Sequence, residues 1–169
     1  MKHSDFCTHI KNLEDKDILT RQLFDVNMRL FETSKEYREI IVSTCQYLTW
    51  LSKTPKEGYK NPHGFSGANA GIPFNIIAVN RGNTDIMINP KILKSYGTKI
   101  ESESNCGSLT LEKPIKIIRD EFIDIEYFTI AGNKKIEKKI GRGQGGLTIQ
   151  HEIQHNLGIL ITDKSLEKV

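Results

Sequence analysis

The segment His151-Glu152-Ile153-Gln154-His155 carries the residue types and spacing of a metal site. On a helix, residues four apart project from one face, so His151 and His155 can reach the same cation. Glu152 sits about 100° round the helix from His151, where it faces a water the cation carries rather than the cation itself. A carboxylate so placed is a general base, and the chemistry implied is metal-dependent hydrolysis. The plain alternative is a surface helix that holds these residues by accident. Leu147, Ile149, Ile153, Leu157 and Leu160 surround the motif with apolar character, so the pattern predicts a substantially buried helix.

Such a site needs a third protein ligand and an open position. Only 14 residues follow His155. The extended pattern HExxHxxGxxH is matched through Gly158, but Ile161 stands at its third histidine and cannot bind a metal. Asp163 and Glu167 leave no room for a further ligand-bearing helix, so the third ligand is expected upstream. The soft ligands there are Cys7, Cys45 and Cys106, with His3, His9 and His63. Cys45 reads as core, on a helix with Thr33 and Glu36 as a capping box and Tyr37, Ile40, Ile41, Thr44, Leu48 and Leu51 inward. Cys7 falls in the N-terminal stretch. Cys106 lies in the turn-prone run Glu103-Ser104-Asn105-Cys106-Gly107-Ser108 and is the preferred third ligand, with a buried free thiol as its alternative.

The elements that position these residues follow from local pattern. A helix is expected over about residues 34 to 53, ending before Pro55, and a loop over Lys56 to Pro62. Strands are expected at Phe74 to Val79, Asp85 to Asn89, Leu109 to Leu111, Ile115 to Ile118, Phe122 to Ile130 and Lys134 to Ile140, with Ala131-Gly132-Asn133 turning the last hairpin. Short connections imply antiparallel pairing. The fold class is therefore α+β, mainly antiparallel sheet with one N-terminal helix and the HExxH helix packed on it. Gly141-Arg142-Gly143-Gln144-Gly145-Gly146 lacks a phosphate-loop lysine and reads as a flexible lead into the metal helix.

A chain of 169 residues, 37% of them apolar, is expected to be one domain, residues 1 to 169. A formal charge of +3 gives no argument for nucleic acid, and the lysines at 134, 135, 138 and 139 read as a solvated strand edge. The N-terminus has no signal-peptide core, and no run of eighteen apolar residues occurs, so a cytoplasmic protein with no membrane partner is expected. Three unevenly spaced cysteines agree with a reducing compartment.

HExxH preceded far upstream by Cys-x-Ser resembles the peptide deformylase family, whose motifs are GxGLAAxQ, EGCLS and QHExDH. Gln150 to His155 reads QHEIQH and departs from the third motif only at Gln154. Ser104 to Ser108 keeps the cysteine and serine of the second. Gly64-Phe65-Ser66-Gly67-Ala68-Asn69 fits the first when Asn75 to Val79 anchors the alignment, with Asn69 in place of glutamine. The resemblance runs from about residue 16 to about residue 162 and implies removal of the formyl group from N-formylmethionyl peptides, with nascent chains at the ribosome as partners. It implies Cys106, His151 and His155 as metal ligands, Glu152 as base, and Asn69 with the Gly107 N–H as oxyanion donors. It further implies Gly64 as a peptide-binding backbone, and Leu147 and Thr148 as the methionine pocket. For Leu147 ordinary core packing is the alternative. A thiolate and two imidazoles suit zinc, whereas the resemblance implies Fe²⁺. The short C-terminus resembles phage-encoded or organelle-type forms. Two other readings stand beside this one: an HExxH metallopeptidase, and a degenerate homologue that binds formyl-peptides without turnover.

Overall fold

The computed structural model describes residues 19–53, 63–104, 106, 109 and 113–163. Five strands follow one another in a single antiparallel sheet in chain order: β1 Gly64–Ser66, β2 Ile76–Arg81, β3 Asn83–Ser104, β4 Ile115–Phe128 and β5 Lys134–Ile140. Among the described residues two α-helices precede them, α1 Met28–Thr33 and α2 Lys35–Lys53, and α3 Gly146–Asn156 follows.

The sequence of β2 explains why helices sit on both sides. Ile76, Ile77, Ala78 and Val79 are all 0% exposed. Successive strand side chains point to opposite faces. Ile76 and Ala78 accordingly join the cluster of α2 (Ile41, Cys45, Leu48), while Ile77 and Val79 join Ile149 and Ile153 of α3. A continuous apolar run, in place of alternation, is the mark of a strand covered on both faces. The α+β class and the packing of the HExxH helix against sheet are thus as expected, and Cys45 is core.

Several boundaries differ from expectation. One N-terminal helix was expected, and two are present among the described residues, because Asn27 caps an additional short helix by accepting from the Leu30 N–H at 3.1 Å. Ser34, not Thr33, sits before α2, accepting from the Tyr37 N–H at 3.3 Å, while the Thr33 hydroxyl donates to the Arg29 carbonyl. The strand expected to stop at Asn89 runs on to Ser104, since the register shift between Ile88 and Lys91 absorbs Pro90, which cannot donate to the ladder. Ile115 to Ile118 and Phe122 to Ile130 are parts of one strand that ends at Phe128. Leu109 lies in a bend, and 110–112, like His3, Cys7 and His9, fall outside the described residues. Leu157 is 49% exposed, because α3 ends just before it.

The basic edge strand β5 carries more than solvated charge. Glu137 receives Arg81 at 2.9 Å and Lys135 at 2.9 Å and also accepts from the Tyr127 hydroxyl. Burial alone would raise its carboxyl, but Arg81, Tyr127 and Lys135 outweigh that and hold it down at about 2. A depressed folded-state value contributes stability that is complete above the unfolded value near 4.3 and disappears as the pH falls toward 2. After allowance for solvent screening, Glu137→Gln is expected to cost about 1–2 kcal/mol at pH 7 in urea denaturation. The difference from the parent protein should vanish near pH 2. A cost that persists there would place it in packing instead.

Candidate metal centre

Helix α3 is fixed at three points. At its start, Gly145 takes φ +79 and donates to the Arg142 carbonyl, closing a 3-10 turn over Arg142–Gln144; the glycine run is a hydrogen-bonded turn and not a loose lead. In its middle, the Gln150 side chain pairs with the backbone of β4, accepting from the Asp120 N–H at 3.1 Å and donating to the Asp120 carbonyl at 3.0 Å. At its end, Asn156 donates to Asn75 Oδ1 at 2.9 Å and to the Ile76 carbonyl at 3.2 Å. Gly158, at φ +76, closes a Schellman turn in which the Ile159 N–H donates to the Gln154 carbonyl and the Gly158 N–H to the His155 carbonyl, each at 2.9 Å. A Cβ there would lie 2.3 Å from the Thr20 carbonyl oxygen, which accounts for glycine at this point of the motif.

So held, α3 brings His155 Nε2 to 3.1 Å from His151 Nε2, and the chain leaving β3 brings Cys106 Sγ to 3.2 Å from His155 Nε2. All three donors lie within 4.8 Å of one another, and this is the one such group found among the described residues. Tetrahedral coordination at metal–N of about 2.0–2.1 Å and metal–S of about 2.3 Å requires ligand separations only slightly larger than these. The donor set fits a divalent cation, and Ile161 packs beside Cys106 and Ile117 instead of supplying a ligand.

Electrostatics favour the ligating forms of the imidazoles. Burial, reinforced by His155 and Arg119, holds His151 well below its ordinary value of 6.5. Burial, again reinforced by Arg119, lowers His155 to about 4. Both rings are neutral at pH 7, with lone pairs to give. Burial pushes the Glu152 carboxyl up to about 8, Arg119 pulling the other way.

Arg119 was not singled out from sequence. It is 5% exposed, inside β4, with Nη2 at 2.7 Å from Gln154 Oε1 and 3.1 Å from His151 Nδ1. A guanidinium only donates, so the second contact belongs to the His151 tautomer with a free Nδ1 lone pair. A cation held through Nε2 would favour the tautomer with its proton on Nδ1, for which Gln154 Oε1, already bonded to Arg119, is the acceptor that remains.

The other expected site residues distribute as follows. Gly64 lies against the carboxylate: a Cβ there would stand 2.9 Å from Glu152 Oε1 and 2.7 Å from Thr148 Cγ2. Asn69 follows β1 in a buried 3-10 turn, its Oδ1 accepting from the Ser66 N–H at 3.1 Å and from the Ser66 hydroxyl, which fixes the direction of the carboxamide. Leu147 and Thr148 line an open cleft of about 780 Å³. Gly107 falls outside the described residues. Gln150 and Asn156, which anchor the helix, were also missed as functional; their signal was two amides flanking a buried motif.

A family model described as polypeptide deformylase matches residues 14–168. A curated peptide deformylase of Streptococcus thermophilus is 33% identical over 82 residues, which span 47% of this chain and 39% of that protein. One from Dictyoglomus turgidum is 32% identical over 111 residues, 65% of this chain and 70% of that protein. A solved Plasmodium falciparum peptide deformylase in complex with an inhibitor matches with a TM-score of 0.64 at 27% identity, covering 89% of this chain and 84% of that one.

Proposed function

Because this chain belongs to the polypeptide deformylase family, we propose that it removes the formyl group from the initiator methionine of nascent peptides as one catalytic domain, releasing formate. The observation that carries this reading is the convergence of Cys106, His151 and His155 beside the buried carboxyl of Glu152. These three side chains would hold the cation, and the chemistry it supplies is Lewis acidity toward water and the formyl oxygen. We take iron(II) as the physiological ion, with zinc or another divalent metal as the alternative for this donor set.

Beside a divalent cation, whose charge would offset the effect of burial and favour the carboxylate form, Glu152 accepts a proton from the attacking water as the water oxygen bonds to the formyl carbon. When the carbon–nitrogen bond breaks, Glu152 returns that proton to the departing amine, leaving formate and a free amino terminus. The Asn69 carboxamide, oriented by Ser66, and the Gly107 N–H donate to the developing oxyanion. Gly64 offers backbone to the peptide as an added strand, which a side chain at that position would obstruct. Leu147 and Thr148 contact the methionine side chain.

Among the described residues no helix is long and apolar enough to cross a membrane, and we place the reaction in the cytoplasm, on chains emerging from the ribosome. Protein prepared without oxygen and loaded with iron(II) is expected to release formate from formyl-Met-Ala-Ser and to leave casein intact. Casein cleavage without formate would replace this reading with an internal metallopeptidase. Gly64→Ala is expected to lower kcat by about 10- to 100-fold with metal content unchanged, because the added methyl displaces Glu152 or Thr148. Unaltered turnover would show that both side chains have room to yield.

A further inference from the structure

We propose that Arg142 selects substrates with an acidic side chain at the third residue, two positions after the formyl-methionine. The inference rests on the deformylase reading for the direction of the peptide, and on the cleft for the charge.

Among the described residues, the surroundings of Gly64 leave the peptide one direction in which to run. β1 is the edge strand of the sheet, and Phe65 to Ala70 beyond Gly64 are buried, with Gly67 pressed against the Phe74 carbonyl. In the other direction His63 is exposed and borders the open cleft that Leu147 and Thr148 also line. A peptide whose first residue reacts beside Gly64 and Glu152 therefore continues past His63 into this cleft. Extended chains place alternate side chains on one face, so the third side chain shares the face of the methionine, about 7 Å farther along.

Among the described residues, the lining of the cleft carries two arginines and one aspartate. Arg81 is bound to Asp85 at 2.6 Å and to Glu137 at 2.9 Å, so its charge is committed. Arg142 is exposed and has no acidic partner among the described residues. It stands on the 3-10 turn that leads directly into Leu147 and Thr148, which fixes its backbone relative to the methionine position. Among the described residues that line the cleft, the one uncommitted charge is positive. A carboxylate gains by approaching it and an ammonium loses, so discrimination comes from attraction and repulsion together.

The test uses three C-terminally amidated peptides, formyl-Met-Ala-Glu, formyl-Met-Ala-Lys and formyl-Met-Glu-Ala, so that the side chain is the only carboxylate. Formate release gives kcat/KM for the metal-loaded protein, and calorimetry on the Glu152→Gln protein gives Kd without turnover. The glutamate at position three should be preferred over lysine by about five- to tenfold at low salt. Arg142→Glu should invert the order, and 0.5 M NaCl should shrink it. Equal constants for the two peptides, a preference that survives Arg142→Glu, or a preference that follows position two would overturn the proposal. Formate from all three peptides at equal rates defeats the proposal and leaves the deformylase reading intact. Absence of formate together with the expected order of Kd defeats the deformylase reading and leaves the charge preference of Arg142 standing as a property of peptide binding alone.

Discussion

Glu152→Gln is expected to lower kcat for formate release by about 10³-fold while the protein keeps one equivalent of metal. Glutamine matches the carboxylate in shape, so Gly64 and Thr148, which close around this side chain, need not move. What is lost is a site that takes up a proton and gives it back. The same substitution should stabilise the metal-free fold. Glu152 is 5% exposed, and burial raises its carboxyl from 4.5 to about 8, so between those pH values the unfolded chain has released a proton that the folded chain still holds. Stability of the parent protein therefore falls as the pH rises through that window, and above it the full cost of a buried carboxylate applies. The gap sets a ceiling of about 5 kcal/mol, and relaxation of the surroundings brings the expected gain of Glu152→Gln to about 2–4 kcal/mol at pH 8. Urea denaturation of chelator-treated proteins should show that gain at pH 8 and none at pH 4.5. A variant that is inactive and no more stable at pH 8 would mean that the carboxylate is solvated, and its role as a desolvated base would fail. The joint signature separates a group kept for chemistry from one kept for structure, since removing a structural partner costs stability.

The parts of this molecule that could be read from its sequence are those set by neighbours along the chain. The helix of the HExxH motif follows from spacing, and β5 falls at Lys134–Ile140 as expected because a hairpin turn and alternating residues fix it locally. Cys106 emerged by elimination among few soft ligands. Arg119 did not, because in a strand with charges at Lys116, Asp120, Glu121, Asp124 and Glu126 it looks like one more solvated residue. Only the docking of α3 across β4 buries it against His151 and Gln154. Pro90 misled for a related reason: a proline stops a strand unless a bulge absorbs it, and the bulge depends on how β4 pairs. Asn69 was readable as a carboxamide, yet its orientation depends on Ser66 three residues earlier, a turn that pattern alone did not reveal. The candidate site was thus legible in the donors proposed for it and hidden in the groups that aim them.

Cys106→Ala is expected to reduce bound metal from one equivalent to less than about a tenth after gel filtration, as His155→Ala does. Two imidazoles on adjacent helical turns remain a bidentate pair, and losing a thiolate removes both a bond and the negative charge that offsets the cation. The fold should survive. Cys106 is 2% exposed and packs with Ile117 and Ile161, so alanine leaves a small void worth about 1 kcal/mol, which circular dichroism and urea denaturation can bound. Cys45→Ala is the matched control. That thiol is 0% exposed on α2, and burial pushes it up to about 12 against a weaker opposing hydrogen bond to the backbone, so it stays protonated and inert. Its removal should cost a similar amount of stability and leave the metal content at one equivalent. Two buried cysteines would then give the same structural penalty and opposite metal results, which isolates ligation from packing. A folded Cys106→Ala protein that retains one equivalent would remove Cys106 from the site, and with it the reason to place a mid-chain turn against the last helix.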